Sequence, residues 1–428
     1  MKSILARPNL APAARLITAA AINRFGDSID TLAISWLMYR ETGNPVLMGL
    51  LFAASFVPNL LFSPYAGVFV DRHRRVAISV VCDLLRGAST LLLGLCAMLG
   101  WLPVWLPFAV ILFNATCETF ASPAKASIAP LVAGEDGLVR FQGMIASASS
   151  FSELAGTACA GVMLAAFGMQ GAFVVDSATF FLSAALTATL RRLETDPAPQ
   201  AEGGTPPAMR MFLDGLLMLG KDKRLLVISL IAAMTNFLLT PFNVLLPVFA
   251  DRVSPLGANA LSLFGVSITV GIGIGGLTVA RFHQRLSIGR TVAGSLMAIG
   301  GGYGLAAAIG QVMEKGIPAT LLVCVALMLL GFSVPFLSAP VQGYAMRTIP
   351  PEARGRYFSL LGMISLIGTP LGGLLSGIAA RSVPPETLFL IVAACVVLLG
   401  FAYLAWDRSL PDEPKNRTLG ENRPAEET

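Results

Sequence analysis

The sequence Gly67-Val-Phe-Val-Asp-Arg-His-Arg-Arg75 carries four charged residues and separates two long apolar runs, residues 46–70 and 76–99. Each run is long enough to cross the hydrocarbon core of a bilayer, which takes about 20 apolar residues in a helix. The charged stretch is therefore predicted to be a short loop between two membrane helices. A similar stretch, Gly276-Leu-Thr-Val-Ala-Arg-Phe-His-Gln-Arg285, follows 209 residues later and indicates an internal repeat.

The composition extends this interpretation to the whole chain. Of its 428 residues, 55% are apolar and 13% are charged, and the charged fraction is about half that of an average soluble domain. Twelve helices of ~20 apolar residues would need ~240 such residues, which matches the apolar content. The sequence therefore predicts an all-α membrane protein with twelve transmembrane helices in two pseudo-symmetric six-helix bundles.

The apolar runs place the predicted helices at residues 16–39, 46–70, 76–99, 104–124, 138–167, 171–190, 225–250, 258–280, 291–312, 317–346, 357–380 and 387–406. A stretch rich in proline and glycine divides them into two sets of six. The predicted domains are an N-terminal bundle (1–190), a cytoplasmic linker with an amphipathic helix (191–224, helix at 209–221), a C-terminal bundle (225–406) and a disordered cytoplasmic tail (407–428).

The distribution of positive charge predicts the orientation. Alternate sides of the twelve-helix arrangement carry 24 and 4 Lys and Arg residues, so the positive-inside rule puts both termini in the cytoplasm of a plasma (inner) membrane protein. The net charge of +5 is not gathered on a basic face with interleaved aromatic residues, so no nucleic-acid partner is expected.

The loop at residues 67–75 resembles the charged loop that the major facilitator superfamily places between its second and third helices. Further stretches resemble the drug:proton antiporter branch of that family, especially its macrolide-efflux-like and enterobactin-exporter-like members: residues 26–29, 122–125, 176–180 and 351–356. The resemblance covers roughly residues 8–406 and implies export of a small molecule by alternating access. Antiporter members often carry a Gly-Pro pair in helix 5, whereas residues 156–161 contain no proline, so the direction of transport stays open.

Charged residues inside apolar helices are functional candidates, because a charge at the centre of a membrane helix costs about 2.5–3.5 kcal/mol on insertion scales. The acidic candidates are Asp27, Asp30, Asp83, Glu118, Glu153 and Asp176, all in the predicted helices of the first half. We expect Asp27, Asp30, Glu118 and Glu153, with Arg24, to face a central cavity and couple transport to protons. The alternative for each is structural, such as an ion pair between Arg24 and Asp27. Asp176 is interpreted as structural.

The charged loop predicts a cytoplasmic gate. Its residues are Gly67, Asp71, Arg72 and Arg75, together with Asp83 and Arg86 of the next helix. A glycine permits close helix approach, an aspartate can meet the positive end of a helix, and arginines can bind carbonyls or acids across the halves. Asp83 and Arg86 are expected to pair with each other or with this loop. The alternative is that the loop only sets the orientation.

Helix 11 contains Pro370, Gly372 and Gly373, which predict a bend used during transport; close helix packing is the alternative.

The cysteines show no CxxC spacing, and the glycines at 271, 273 and 276 lie in an apolar run with no preceding strand. Neither a metal site nor a dinucleotide site is therefore expected. We expect a monomer without cofactors that is not an enzyme.

These observations favour a secondary transporter that exports amphipathic or hydrophobic small molecules, in exchange for protons. The alternative is an uptake transporter, or a lipid or lysolipid flippase, with the same fold.

Overall fold

The computed structural model describes residues 10–133, 137–194, 223–282, 287–349, 357, 361 and 368–409. Its helices are α1 (Leu10–Thr42), α2 (Pro45–Ala54), α3 (Val57–Arg72), α4 (Arg75–Met98), α5 (Trp105–Ala133), α6 (Leu138–Ala188), α7 (Lys223–Val253), α8 (Ala258–Phe282), α9 (Ile288–Val312), α10 (Ile317–Thr348), α11 (368–379) and α12 (Pro385–Arg408), with one 3₁₀ turn at Arg191–Leu193. The described residues form helices and no strand, and eight helical segments among them are long and apolar enough to cross a membrane. The predicted all-α membrane fold is confirmed.

The described helices overlap the predicted segments, but predicted and observed helices do not correspond one to one. The second predicted helix is divided into α2 and α3 at Ser55 and Phe56. Pro58 follows this break, and proline has no N–H to donate to the carbonyl four residues earlier. The fifth and sixth predicted helices run on as α6 and meet at Gly168, whose φ of 68° lies in a region that glycine adopts without strain.

Among the described connections, short turns reverse the chain after α1, α3, α4, α7, α9 and α11, so the helix ends gather at two ends of the molecule. We call the end that holds the α3–α4 turn the proximal end, and the end that holds the α1–α2 turn, at Gly43, the distal end. Both the beginning of α1 and the end of α12 lie at the proximal end. This arrangement agrees with an even number of membrane crossings.

Packing is most extensive among helices of the same half. In the first half α1 lies along α6, and α4 packs against both α5 and α6; in the second half α9 packs on α10 and α12, and α8 packs on α10. Contacts between the halves include α6 with α8 and α2 with α7. The helices therefore form two sets that meet along a limited interface.

Several contacts between the two sets lie towards the distal end. The Tyr39 hydroxyl donates a hydrogen bond of 2.8 Å to Asp251, and the backbone N–H of Gly161 donates one of 2.5 Å to the Ser262 hydroxyl. The backbone of Gly49 lies so close to α11 that an added Cβ would come within 3.1 Å of the Cα atom of Gly377. These contacts hold the distal ends of the two sets together.

Some helix ends differ from the prediction. α12 continues to Arg408, so Asp407 belongs to a helix, where it accepts a hydrogen bond of 3.3 Å from Arg224. Asp251 and Glu386 also lie in helices, which corrects the expectation that the helices of the second half contain no acids. The predicted amphipathic helix at 209–221 and residues 410–428 of the tail lie outside the described residues.

Candidate functional site

A cavity of about 480 Å³ lies between the two sets of helices. One face of α1 forms much of its wall: Arg24, Asp27, Asp30, Thr31, Ile34, Ser35 and Met38. This spacing of three and four residues is the period of an α-helix. α2, α4, α5 and the break between α2 and α3 supply further walls, and Asn243 with Val244 of α7 closes the cavity from the second half.

Arg86 of α4 is the central cation of the cavity wall. Its guanidinium donates a hydrogen bond of 2.6 Å to Asp27 and another of 2.6 Å to Glu118. The Arg86 side chain is only 8% exposed, whereas that of Glu118 is 46% exposed. One buried arginine thus holds together α1, α4 and α5 and keeps two carboxylates at the cavity surface.

The side of Arg86 away from the carboxylates packs on an aromatic ring. Its guanidinium carbon lies 4.3 Å from the ring centroid of Phe180 in α6, a geometry in which the ring face attracts the cation. Breaking a buried ion pair by removing one partner typically costs 3–5 kcal/mol. Arg86 is therefore central to the packing of the first half as well as to its electrostatics.

This position of Arg86 corrects the sequence interpretation. Arg86 does not pair with Asp83 and does not lie in the gate loop. It is eleven residues beyond the first residue of α4, or about 16 Å along a helix. That distance can be counted on the sequence and separates Arg86 from the charged loop. Phe180 belongs to the stretch 176–180 that resembles the antiporter branch, but the sequence assigns it no contact with Arg86.

Asp83 is instead the centre of a separate buried cluster. Its carboxylate is fully buried and pairs with Lys125 of α5 at 2.9 Å. Asn23 donates to it at 3.1 Å and Ser183 at 2.8 Å. The contacts join four helices of the first half, so Asp83 does not belong to the charged loop at the surface.

Arg24 and Glu153 form the third charged contact. The Arg24 guanidinium donates to Glu153 at 2.9 Å, and the two side chains are 49% and 45% exposed. This pair links α1 to α6. The alternative interpretation, an ion pair between Arg24 and Asp27, is therefore wrong, because each of these residues binds a partner on another helix.

Asp30 and Asp176 lie next to this site, and neither forms an ion pair with a cation among the described residues. Asp30 lines the cavity, but its Oδ1 atom is buried without a hydrogen-bond partner among the described residues. Asp176 is fully buried, and its Oδ2 atom likewise lacks a partner in the described part of the chain. The interpretation of Asp176 as structural did not foresee these unpaired oxygen atoms.

The charged loop lies at the proximal end, where α3 ends and α4 begins. Asp71 and Arg72 are exposed. None of the described residues comes within 4 Å of the position that a Cβ of Gly67 would occupy, which corrects the expectation of a close helix approach at this glycine. Arg75 donates a weak hydrogen bond of 3.4 Å to the Ser127 carbonyl in α5. These positions leave the loop accessible to a partner at the proximal end.

Pro370, Gly372 and Gly373 lie in α11 close to both halves. The ring of Phe52 in α2 occupies the space where a Cβ of Gly373 would lie, and an added Cβ at Gly372 would come within 2.7 Å of the Phe237 carbonyl in α7. Close packing therefore accounts for these two glycines.

The described residues contain no group of three or more His, Cys, Asp or Glu side chains that could hold a metal ion. The chemistry that the cavity offers is thus that of carboxylates, one buried guanidinium and an apolar wall. Such a wall suits a small molecule with an apolar body, while the carboxylates favour cations or protons.

Comparison with known proteins agrees with this architecture. The family profile of the Major Facilitator Superfamily matches residues 16–314 and 296–427. Macrolide efflux protein A of Streptococcus pyogenes is 25% identical over 379 residues, which are 89% of this chain and 92% of the relative. The multidrug efflux pump Tap of Mycolicibacterium fortuitum is 24% identical over 398 residues, 91% of this chain and 94% of that protein.

A solved structure shows the same fold. The nucleoside transporter NupG superposes with a TM-score of 0.70 at 16% identity, covering 93% of this chain and 99% of that one. With a family profile that spans most of the residues, full-length efflux relatives and a shared fold, the chain belongs to the Major Facilitator Superfamily and is a multi-pass membrane transporter of small molecules.

Proposed function

We propose that the protein exports amphipathic or hydrophobic small molecules, including cationic ones, in exchange for protons by alternating access. The observation that carries this proposal is the buried Arg86, which holds Asp27 and Glu118 at the wall of a cavity between the two halves. The site combines titratable groups with an apolar wall, and both are needed for an exchange of protons against a substrate.

The charges at the cavity support exchange. Arg24 is neutralised by Glu153, so Arg86 faces three carboxylates at the cavity, those of Asp27, Asp30 and Glu118. One guanidinium against three carboxylates leaves two negative charges without compensation, and protons or a cationic substrate can supply the missing positive charge. Because the two compete for the same negative charge, binding of one favours release of the other.

Export is favoured by the efflux relatives, since macrolide efflux protein A and the pump Tap align over almost the full chain. Exporters of this kind would have both termini in the cytoplasm of the inner membrane, as the positive charges indicate. We propose further that the protein works as a monomer without a cofactor, binds no nucleic acid and does not chemically convert its substrate.

The charged loop is assigned to the gate in the same proposal. With Asp71 and Arg72 exposed at the proximal end, the loop is free to bind the other half when that end closes. Opening and closing of such a contact would alternate with the distal contacts of Tyr39 and Gly161.

Counterflow and gradient-driven transport in proteoliposomes test the proposal. Tetraphenylphosphonium, a hydrophobic cation, serves as the probe under an imposed pH gradient. We expect movement against the proton flow in the wild type, and loss of gradient-driven movement in at least one of Asp27→Asn, Glu118→Gln and Glu153→Gln. Transport in the direction of the protons would instead support an uptake transporter, and movement of labelled lysolipid between leaflets would support a flippase. Full gradient-driven activity in all three variants would refute the assignment of the carboxylates.

A further inference from the structure

Asp176 of α6 occupies an unusual place beside α1. Its side chain is fully buried, and its Oδ1 atom lies where a Cβ of Gly26 would be, so only a glycine at position 26 allows the two helices to come this close. The Thr179 hydroxyl lies against the same glycine and within 3.4 Å of Asp176 Oδ1. Oδ2 of Asp176 is buried without a hydrogen-bond partner in the described part of the chain.

Asp30 lies one helical turn beyond Gly26 on the same side of α1. Four residues of helix correspond to about 6 Å, so the carboxylates of Asp30 and Asp176 are neighbours across the α1–α6 contact. Asp30 also borders the cavity. Its buried Oδ1 atom is the second oxygen of this contact that lacks a described partner.

The groups around the two carboxylates do not neutralise them. The charged groups that act on Asp30 are Asp27 of α1 and Arg86 of α4, and these two together with Asp30 act on Asp176. Arg86 donates its hydrogen bonds of 2.6 Å to Asp27 and Glu118. The uncharged neighbour of Asp176 is Thr179 of α6. Two ionised carboxylates side by side, one of them fully buried and neither hydrogen-bonded to a cation among the described residues, are strongly disfavoured.

A single proton removes this difficulty. A protonated carboxyl has an O–H donor, which can bind an oxygen of the other carboxylate and so satisfy both unpaired atoms. We propose that Asp30 and Asp176 share one proton, which exchanges with the cavity through Asp30. The pair is a proton-binding site in addition to the Arg86 cluster, and it rests on the proposed function only in that the proton is used for transport.

The proton can be observed directly by infrared spectroscopy of the reconstituted protein, in which a protonated aspartic acid has its own C=O stretching band. We expect this band in the wild type at neutral pH, and we expect it to shift on isotope labelling of aspartate. Asp176→Asn should remove it, because Asp30 then stands alone at the cavity and can ionise there. Asp30→Asn should shift it, because the buried Asp176 keeps the proton but loses its carboxylate partner. The matched control is Asp83→Asn, because Asp83 is equally buried in the same half but pairs with Lys125 at 2.9 Å; this variant should keep the band.

Transfer to heavy water tests the exchange. The band should shift towards lower frequency within the time of the transfer if the proton reaches the cavity. A wild type with no protonated aspartate at neutral pH would overturn the proposal without any variant, as would a band that survives Asp176→Asn or resists deuterium. The infrared band is measured independently of transport. If the pH gradient does not drive tetraphenylphosphonium movement while the band behaves as expected, the proposed proton coupling is refuted and the shared proton of Asp30 and Asp176 is supported.

Discussion

Replacing Arg86 with methionine is the most direct test of the site. The variant keeps much of the length and apolar contact of the side chain but removes both hydrogen bonds of 2.6 Å, to Asp27 and Glu118. Because the Arg86 side chain is 8% exposed, the loss should resemble that of one partner of a buried ion pair, about 3–5 kcal/mol of unfolding free energy. Gradient-driven transport should be lost as well.

Arg24→Met is the matched control. Its pair with Glu153 joins the same helix α1 to α6, but both side chains are about half exposed, at 49% and 45%. An exposed pair contributes about 0–1 kcal/mol. The two variants should therefore differ by roughly 3 kcal/mol, which is about a hundredfold in the ratio of folded to unfolded protein.

Acid should relieve the defect of Arg86→Met. Without the guanidinium, Asp27 and Glu118 are uncompensated anions in the folded protein, and protonation removes that cost. The stability difference from the wild type should thus shrink as the pH falls, and adding Glu118→Gln to Arg86→Met should restore part of the loss. Unfolding of the purified variants in detergent, followed at several pH values, measures these differences. Equal losses in the two arginine variants, or a difference that grows in acid, would refute the central role of Arg86.

Three further changes test the surrounding structure. Tyr39→Phe removes the hydrogen bond to Asp251, worth about 1 kcal/mol, and should increase the labelling of a cysteine placed at the distal end; unchanged labelling would mean that this contact does not hold that end closed. Gly26→Ala pushes a methyl group into the Asp176 carboxylate and should lower the thermal unfolding temperature through a cost of about 1–3 kcal/mol, whereas a variant as stable as the wild type would contradict the close approach of α1 and α6. Asp71→Asn should slow transport by weakening the proposed gate, provided that membrane insertion is normal. Wild-type transport rates in well-inserted protein would mean that the loop only sets the orientation of the protein in the membrane.

The helices could be predicted from the sequence with good accuracy because each membrane span is a local property. About 20 consecutive apolar residues satisfy their own backbone hydrogen bonds and prefer the bilayer. The deviations have local causes as well. Pro58 interrupts the second span, and Gly168 lets two helices follow each other with almost no loop.

The candidate site could be predicted only in outline. The sequence predicts that Asp27 and Asp30 face a central cavity, and both border it. Three residues apart in a helix, they lie on one polar stripe of α1. It did not predict the partner of Arg86, and it assigned Asp83 to the gate although Lys125 binds it inside the first half. The spacing of polar residues shows which side of a helix is polar. The residues that bind these side chains lie on other helices, and the periodicity of α1 contains no information about them.

By itself, therefore, the sequence determined a repeated bundle of apolar helices, the acids buried within its first half and the charged loop at 67–75, since hydropathy and spacing are written along the chain. Only the tertiary structure decided which charges meet. Arg86 reaches Glu118 across 32 residues and Arg24 reaches Glu153 across 129. Such pairs form only when packing brings side-chain atoms of distant helices within about 3 Å, a hydrogen-bond distance.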